Sequence, residues 1–361
     1  MSTNPPLGFL FSAGTAGIKP SGKPDLALAL APDGATAAAM FTRNQIVAAP
    51  VTVGRDHLRA SSGMVRAVIV NSGNANCATG KPGLRAAIDV CRHTAKEIGA
   101  KAHQIVPSST GIIGVPLPVE KITAALPALI TAAQPGAEAF DAFAQSLLTT
   151  DTHKKLASQT VSHRGIQVTL TGAAKGAGMI HPNMATMLVY LFTDLVAKPA
   201  ELQKVLKIAV DESFHNISID GDTSTNDTVL LLASGKSGVQ YKDVRAEFAI
   251  ALTKACRALA AQIVADGEGV KHVIRLKIEE AASRDHARRI GQAIATSALV
   301  KTAWAGADPN WGRILAAIGN SGVKINPERI NIYLGEQQIC RHGAACNFDR
   351  DRAHEYMSEP A

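Results

Sequence analysis

The stretch Gly172-Ala-Ala-Lys175-Gly-Ala-Gly-Met-Ile-His-Pro-Asn183-Met-Ala185-Thr186-Met-Leu188 decides how the rest of the chain is read. Glycines and other small residues crowd ahead of a threonine that opens a predicted buried strand over 186–193. Glycine reaches backbone conformations closed to other residues, strained ones included. A strained Ala185–Thr186 peptide is what an N-to-O acyl shift needs. The threonine hydroxyl attacks the carbonyl before it, an ester forms, and water releases a new N-terminal threonine. That terminus would own a nucleophilic hydroxyl and, in its α-amine with a reference pKa of about 8, a base of its own. The β-branch restricts χ1 and helps to hold the oxygen in line. Read by itself, though, a threonine at a strand start is an ordinary core-edge residue.

Outward from this segment, strands and helices alternate toward both ends. Residues 64–71, rich in β-branched side chains, read as a doubly buried strand, followed by a Gly- and Asn-rich loop over 72–83. Leu84, Ile88, Cys91, Ala95 and Ile98 recur at three- and four-residue spacing, which predicts a helix over 84–98. Further helices are expected over 119–131, 137–148, 199–214, 243–264 and 285–299. Strands are expected over 166–172, 228–234, 272–279 and 329–334. No long linker, short repeat or low-complexity segment interrupts the series, so the fold class is α/β, built in layers.

A chain of 361 residues with 46% hydrophobic content can bury a large core in one domain or two intimate lobes. Its net charge of +7 and pI of about 9.2 raise the question of nucleic acid. The basic residues are scattered, however, and only 4% of residues are aromatic, whereas single-strand binding uses stacking aromatics beside its charges. A surface that attracts anionic metabolites is the plainer reading. Five cysteines without a CxxC pair argue against a disulfide framework or a zinc site and for a reducing cytoplasm. Neither a signal peptide nor a membrane-spanning run is read in the sequence.

Several polar motifs punctuate the series. Ser108-Ser-Thr110-Gly111-Ile-Ile-Gly114 is, alone, a glycine-rich turn, and it lacks the GK[ST] of a phosphate loop. Leu147-Leu-Thr149-Thr150-Asp151-Thr152 reads as a helix end. Asp266-Gly-Glu268-Gly269 reads as the turn that stops the long helix. Ser218-Ile-Asp220-Gly-Asp222-Thr-Ser-Thr-Asn226-Asp227-Thr228 looks superficially like a calcium loop. It fails because Thr225 stands where glycine is needed and Leu231 where the bidentate Glu is needed, so it is read as a polar turn network. Val70-Asn71-Ser-Gly-Asn74-Ala-Asn76 and Ala307-Asp308-Pro-Asn310-Trp311-Gly-Arg313 are given structural rather than catalytic roles, the second as a turn with Trp311 packing and Arg313 available for a carboxylate.

Taken together, these motifs resemble those of the ornithine acetyltransferases, from Gly17-Ile-Lys19 to the segment around Asp308. The resemblance implies a layered α-β-β-α sandwich of the self-cleaving, N-terminal-nucleophile-like type, in two lobes. It implies cleavage between Ala185 and Thr186, giving an α chain (1–185) that carries the oxyanion hole and a β chain (186–361) that begins with the nucleophile. Carried over by motif, Thr186 is the nucleophile, Thr110 and Gly111 form the oxyanion hole, and Thr149, Lys175 and Glu268 bind substrate beside Thr186. The implied reaction is a ping-pong glutamate N-acetyltransfer from N-acetylornithine through an acetyl-Thr186 ester, a step of arginine biosynthesis in the cytoplasm. No metal or organic cofactor is implied; acetyl-CoA stays open as a co-substrate. The implied partners are N-acetylornithine, glutamate and a self-assembly of two α and two β chains, with no nucleic acid and no membrane. The family's strand-rich C-terminal segment, with its substrate-contacting Asn and Thr, has no counterpart before Met357-Ser-Glu-Pro-Ala361. Two other readings therefore stay open: an N-terminal-nucleophile aminopeptidase or amidase, and an inactive truncated member.

Overall fold

Leu-Ala-Leu-Ala-Leu at 26–30 alternates large and small side chains, and the sheet grows outward from the strand it forms. In the computed structural model, which describes residues 3–181 and 187–359, Leu10–Gly14 (β1) lies antiparallel to the first half of Leu26–Phe41 (β2). Then follow Ala49–Ala60 (α1), Met64–Asn74 (β3), Gly80–Glu97 (α2), Ile105–Ile112 (β4), Val119–Thr131 (α3) and Ala137–Ser146 (α4). Next come Lys155–His163 (β5), Ile166–Lys175 (β6), Leu188–Thr193 (β7), Pro199–Asp211 (α5), Thr228–Ala233 (β8) and Arg245–Ala265 (α6). The sheet order is β4-β3-β2-β8-β7-β6-β5, with β1 alongside β2. The pairs β3–β4 and β7–β8 are parallel and the others antiparallel.

The pairing of β2 with β3 shifts between Leu30 and Ala35, and the two halves of β2 serve different helix layers. Leu26, Leu28 and Leu30, with Ala67, Ile69 and Ile105, pack against Val90, Cys91, Ile122 and Leu126 of α2 and α3. Ala38, with Val189, Leu191, Val229 and Leu231, packs against Leu202, Leu206, Leu252 and Leu259 of α5 and α6. The alternate residues of both halves, among them Ala27, Ala29, Val68, Val70, Tyr190, Phe192 and Leu230, meet in one shared cluster. Helices thus cover the two outer faces while the inner faces share one core into which α4 also packs, the α-β-β-α layering that the resemblance implies. Aromatics are few but gathered: five of the nine phenylalanines lie in this inner cluster. Phe11 meets Phe192 at 5.0 Å and 86°, and Phe140 at 5.0 Å and 75°, edge-to-face contacts that add to burial.

This first compact unit ends at Glu268, and a second begins at Gly269. The second contains Arg284–Thr296 (α7), Ala298–Ala305 (α8), Trp311–Gly319 (α9), a small antiparallel sheet of Ile332–Leu334 (β9), Gln337–Arg341 (β10) and Ala344–Ala345 (β11), and Arg350–Ser358 (α10). Ser283, Asn310 and Asp349 cap three of its helices by accepting the backbone N–H of His286, Arg313 and Arg352. Its core is formed by Ile294, Val300, Ile318 and Ile339, with Trp304 and Trp311 against them. The strand expected over 272–279 does not form. Leu276 and Ile278 still pack on that core, but no described strand pairs with the segment, and a lone strand leaves its backbone groups without a ladder. At 80–83, where a loop was expected, α2 has already begun, because Pro82 falls in the first turn, where its missing N–H costs nothing.

One described helix, α6, is long and apolar enough to cross a membrane. Its Leu252, Cys256, Leu259 and Ile263 are fully buried against the sheet, as in the core helix of a globular unit. The covalent division expected at 185/186 falls at a different place from the boundary between compact units. β6 and β2, which precede it, pair with β7 and β8, which follow it. Phe192→Ala, which empties the centre of the aromatic cluster, should lower stability by about 3–5 kcal/mol. The check is a lower urea midpoint at unchanged denaturant slope.

Candidate active site

β6 ends on Lys175, and the glycine-rich segment leaves the sheet there. Lys175 is buried, and its ammonium lies 3.6 Å from the Asp151 carboxylate. Asp151, which exposes none of its side chain, is also paired with the buried Lys155 at 2.7 Å. It accepts the backbone N–H of Thr149 at 3.1 Å and that of Gly176. Lys155 reaches a second carboxylate, Asp266, which further accepts the backbone N–H groups of Thr152 and His153 and the Thr152 hydroxyl. Two buried lysines therefore share two carboxylates, and each carboxylate is saturated by neighbouring N–H groups. Buried charges persist under those conditions.

The charge states follow. Burial pushes the Lys175 amine below the usual lysine range, with Lys155 adding to the shift and Asp151 and Glu268 opposing it. Burial alone would raise the Asp151 carboxyl, but Lys175 and Lys155 hold it below the usual carboxylate range. Asp266 is likewise held down against the effect of burial, mainly by its hydrogen bonds from Lys155 and Thr152.

Glu268 stands at the exposed rim of this cluster. Its backbone N–H donates to the Ala177 carbonyl at 2.8 Å, and its carboxyl lies against Gly178, where an added Cβ would come within 2.7 Å. Thr110 and Gly111 lie at the end of β4, opposite Ser72 and Gly73 of β3 in parallel register. Gly111 has φ of +132°, and a Cβ there would sit 2.3 Å from the Gly73 carbonyl carbon; no other residue fits. A Cβ on Gly73 would in turn meet Lys19 Cγ at 3.1 Å. Lys19, lowered by burial, feels the fields of Asp25, Lys175 and Asp151, which links the β3–β4 end to the ionic cluster.

The 218–228 loop supplies the other link. Asn226 donates to the carbonyls of Ala75 and Ser109 at 2.7 and 2.9 Å, gripping β4 one residue before Thr110. Asp220 accepts the Ile180 N–H at 2.9 Å, and Asp227 accepts the Met187 N–H at 3.1 Å. Both flanks of the 182–186 segment are thus held by carboxylates of one loop. Thr186 and Ala185 themselves lie outside the described residues.

Lys175, Glu268 and Thr149 are therefore gathered around one ionic cluster, with Thr110 and Gly111 tied to it through Lys19 and Asn226. Sequence reasoning missed Asp151, Lys155, Asp266, Asn226 and Asp227 as members. Four of these stand inside motifs already noticed, Asp151 and Asp266 beside chosen residues and Asn226 and Asp227 in the loop read as a turn network; a polar side chain inside such a motif was the signal. Arg313, which the sequence offered for a carboxylate, instead donates to the Leu299 carbonyl and the Thr302 hydroxyl. Among the described residues, no three His, Cys, Asp or Glu side chains come together as a metal-holding group.

A model of the ArgJ family matches residues 10–361. The chain is 42% identical over 348 residues to the arginine biosynthesis bifunctional protein ArgJ of Geobacter sulfurreducens, covering 95% of this chain and 88% of that one. It is 44% identical over 355 residues to its namesake from Methylococcus capsulatus, covering 97% and 85%. Among solved structures, the ornithine acetyltransferase of Mycobacterium tuberculosis, crystallised with ornithine, is 35% identical, with a TM-score of 0.46. That match covers 50% of this chain and 95% of that one.

The ionic cluster sets an acid limit. Asp151 and Asp266 have depressed folded-state pKa values, so their contribution is complete above the unfolded carboxylate pKa of about 4 and is lost as pH falls through the folded values. Denaturation midpoints should fall below pH ~4. Asp151→Asn should lose part of that acid dependence and, by leaving Lys155 and Lys175 short of a carboxylate, cost about 3–5 kcal/mol at pH 7. Midpoints measured from pH 3 to 7 for both proteins check this.

Proposed function

Because the chain belongs to the ArgJ family, we propose that it is an ornithine acetyltransferase of arginine biosynthesis that moves the acetyl group of N-acetylornithine to glutamate. The observation that carries the reading is the ionic cluster. Lys175, Asp151, Asp227 and Glu268 crowd the two flanks of the segment that holds Thr186.

In this reading the chain first breaks between Ala185 and Thr186, giving the α (1–185) and β (186–361) chains. The freed Thr186 hydroxyl then attacks the acetyl carbonyl, its own α-amine taking the proton. Thr110 and Gly111 donate to the oxyanion, a preorganised pair that the Gly73–Gly111 contact keeps in place. Ornithine leaves, glutamate attacks the acetyl-Thr186 ester, and the threonine is regenerated. Lys175 meets a substrate carboxylate as a compact charge, Glu268 meets an ammonium, and Thr149 lines the same place. The rim position of Glu268 suits a ligand that arrives from solvent, while the burial of Lys175 suits a dry reacting end. The reaction needs no metal or organic cofactor in this scheme, and acetyl-CoA is tested as a second donor. The assembly is two α and two β chains, in the cytoplasm. The amidase reading predicts that water, not glutamate, takes the acyl group.

Intact-mass analysis should give two fragments for the wild type and one full-length chain for Thr186→Ala. Acetyl transfer from N-acetylornithine to glutamate should disappear in Thr186→Ala, and Thr110→Val should lower kcat about a hundredfold. A wild-type chain that stays whole yet transfers acetyl groups would overturn the scheme.

A further inference from the structure

Lys19 closes a turn that Asp25 holds by its backbone. Asp25 exposes none of its surface and accepts the N–H groups of Ala16, Ile18 and Lys19 at 2.6, 2.5 and 3.0 Å. That carboxylate is spent on the turn, and the Lys19 ammonium goes elsewhere. It donates to the Pro24 carbonyl at 2.8 Å and to the Ser146 carbonyl at 3.4 Å. Among the described residues these are its only acceptors, and neither is a carboxylate. An ammonium carries three N–H groups, so this half-buried charge keeps one to give.

Its position joins three places that the acetyl-transfer reading gives to substrate. Ser146 is the last residue of α4, shortly before Thr149, and its carbonyl also accepts the Ser72 hydroxyl at 2.6 Å. Ser72 lies opposite Thr110 in the β3–β4 register, and a Cβ on Gly73 would meet Lys19 Cγ at 3.1 Å. The third place is Lys175. Burial, the largest influence, pushes the Lys19 amine below the usual lysine range; Asp25 opposes the shift and the Lys175 ammonium adds to it. An anion received by both ammoniums turns their repulsion into attraction. The approach is basic as well: Lys23 lies within the field of Lys19, and Lys121 donates to the Gly17 carbonyl at 3.0 Å. Such a lip draws anions inward.

We propose that Lys19 binds the substrate α-carboxylate together with Lys175. The inference rests on the acetyl-transfer reading and adds a contact to it. In N-acetylornithine and in glutamate alike, the α-carboxylate is borne by the carbon that carries the reacting nitrogen. Donor and acceptor occupy the place in turn, so a cation there serves both half-reactions, although their side chains differ in charge. A carboxylate offers two oxygens, and two compact charges can share them. Lys19 also stands at the negative end of α4, where a cation stabilises the helix. Capping alone would act on every substrate equally, whereas binding acts on those that carry the carboxylate.

The deciding measurement is kcat/KM for N-acetylornithine, for glutamate and for the α-carboxamide of each, in wild type, Lys19→Gln and Lys19→Arg. Gln removes the charge but keeps amide donors for the two carbonyls. Wild type should prefer each carboxylate to its carboxamide by about tenfold or more. Lys19→Gln should lower kcat/KM for both carboxylates by about tenfold, chiefly through KM, and leave both carboxamides within about threefold. Lys19→Arg, which keeps the charge, should recover most of the loss. An equal loss on carboxylates and carboxamides, or no loss on either, overturns the proposal. If Lys19→Gln does not fold, the wild-type ratio decides: a preference below about tenfold overturns it. A wild type that transfers no acetyl group refutes the acetyltransferase reading itself, whereas transfer with an unselective Lys19→Gln refutes only the role of Lys19.

Discussion

A carboxylate withdrawn from water must be answered by charge and by N–H groups, and Asp151 is answered from three directions. Lys155 comes from the start of β5, Lys175 from the end of β6, and the backbone N–H groups from Thr149 and Gly176. Leucine or methionine packed in the same space would hold the fold at least as firmly. What the ionic arrangement gives is direction: it fixes where β6 stops and where the Lys175 amine points. Asp266 extends the arrangement to the end of α6, so the helix that covers the outer face also sets the position of Glu268 two residues later.

The second organising contact is made by amides rather than charges. Asn226 ties the 218–228 loop to the strand that carries Thr110, and Asp227, the next residue, ties the same loop to Met187. Elements far apart in sequence are thereby placed in register by two adjacent side chains. Gly111 and Gly73 complete the join, since their backbones approach more closely than any Cβ allows.

Much of this was legible in the residues, and the exceptions have physical causes. The helices at 119–131 and 199–211 carry amphipathic spacing and were read nearly to the residue. β2 was not, because alanine, poor in strand propensity, is its commonest residue and Pro-Asp-Gly interrupts it at 32–34, and only its pairing with β1, β3 and β8 makes it a strand. Thr149 and Glu268 were found by motif, but their motif neighbours Asp151 and Asp266 were passed over, as was Asp227 in the 218–228 loop. Local sequence does not report which of two adjacent polar residues turns inward; that is decided by contacts dozens of residues away. Arg313 is the converse case, a charge that looked available and is spent on a helix end.

The inner ladder carries a last consequence. The second half of β6 pairs with β7 and the second half of β2 with β8, and in each pair one strand precedes residue 185 and the other follows it. Should the backbone open at residue 185, neither product owns a complete sheet, and each would present bare edges on its own. Two separately expressed halves would therefore be aggregation-prone strangers. Their union would have to be made while they are still a single thread, and a scission afterwards would leave a joint with no covalent record of how it was assembled.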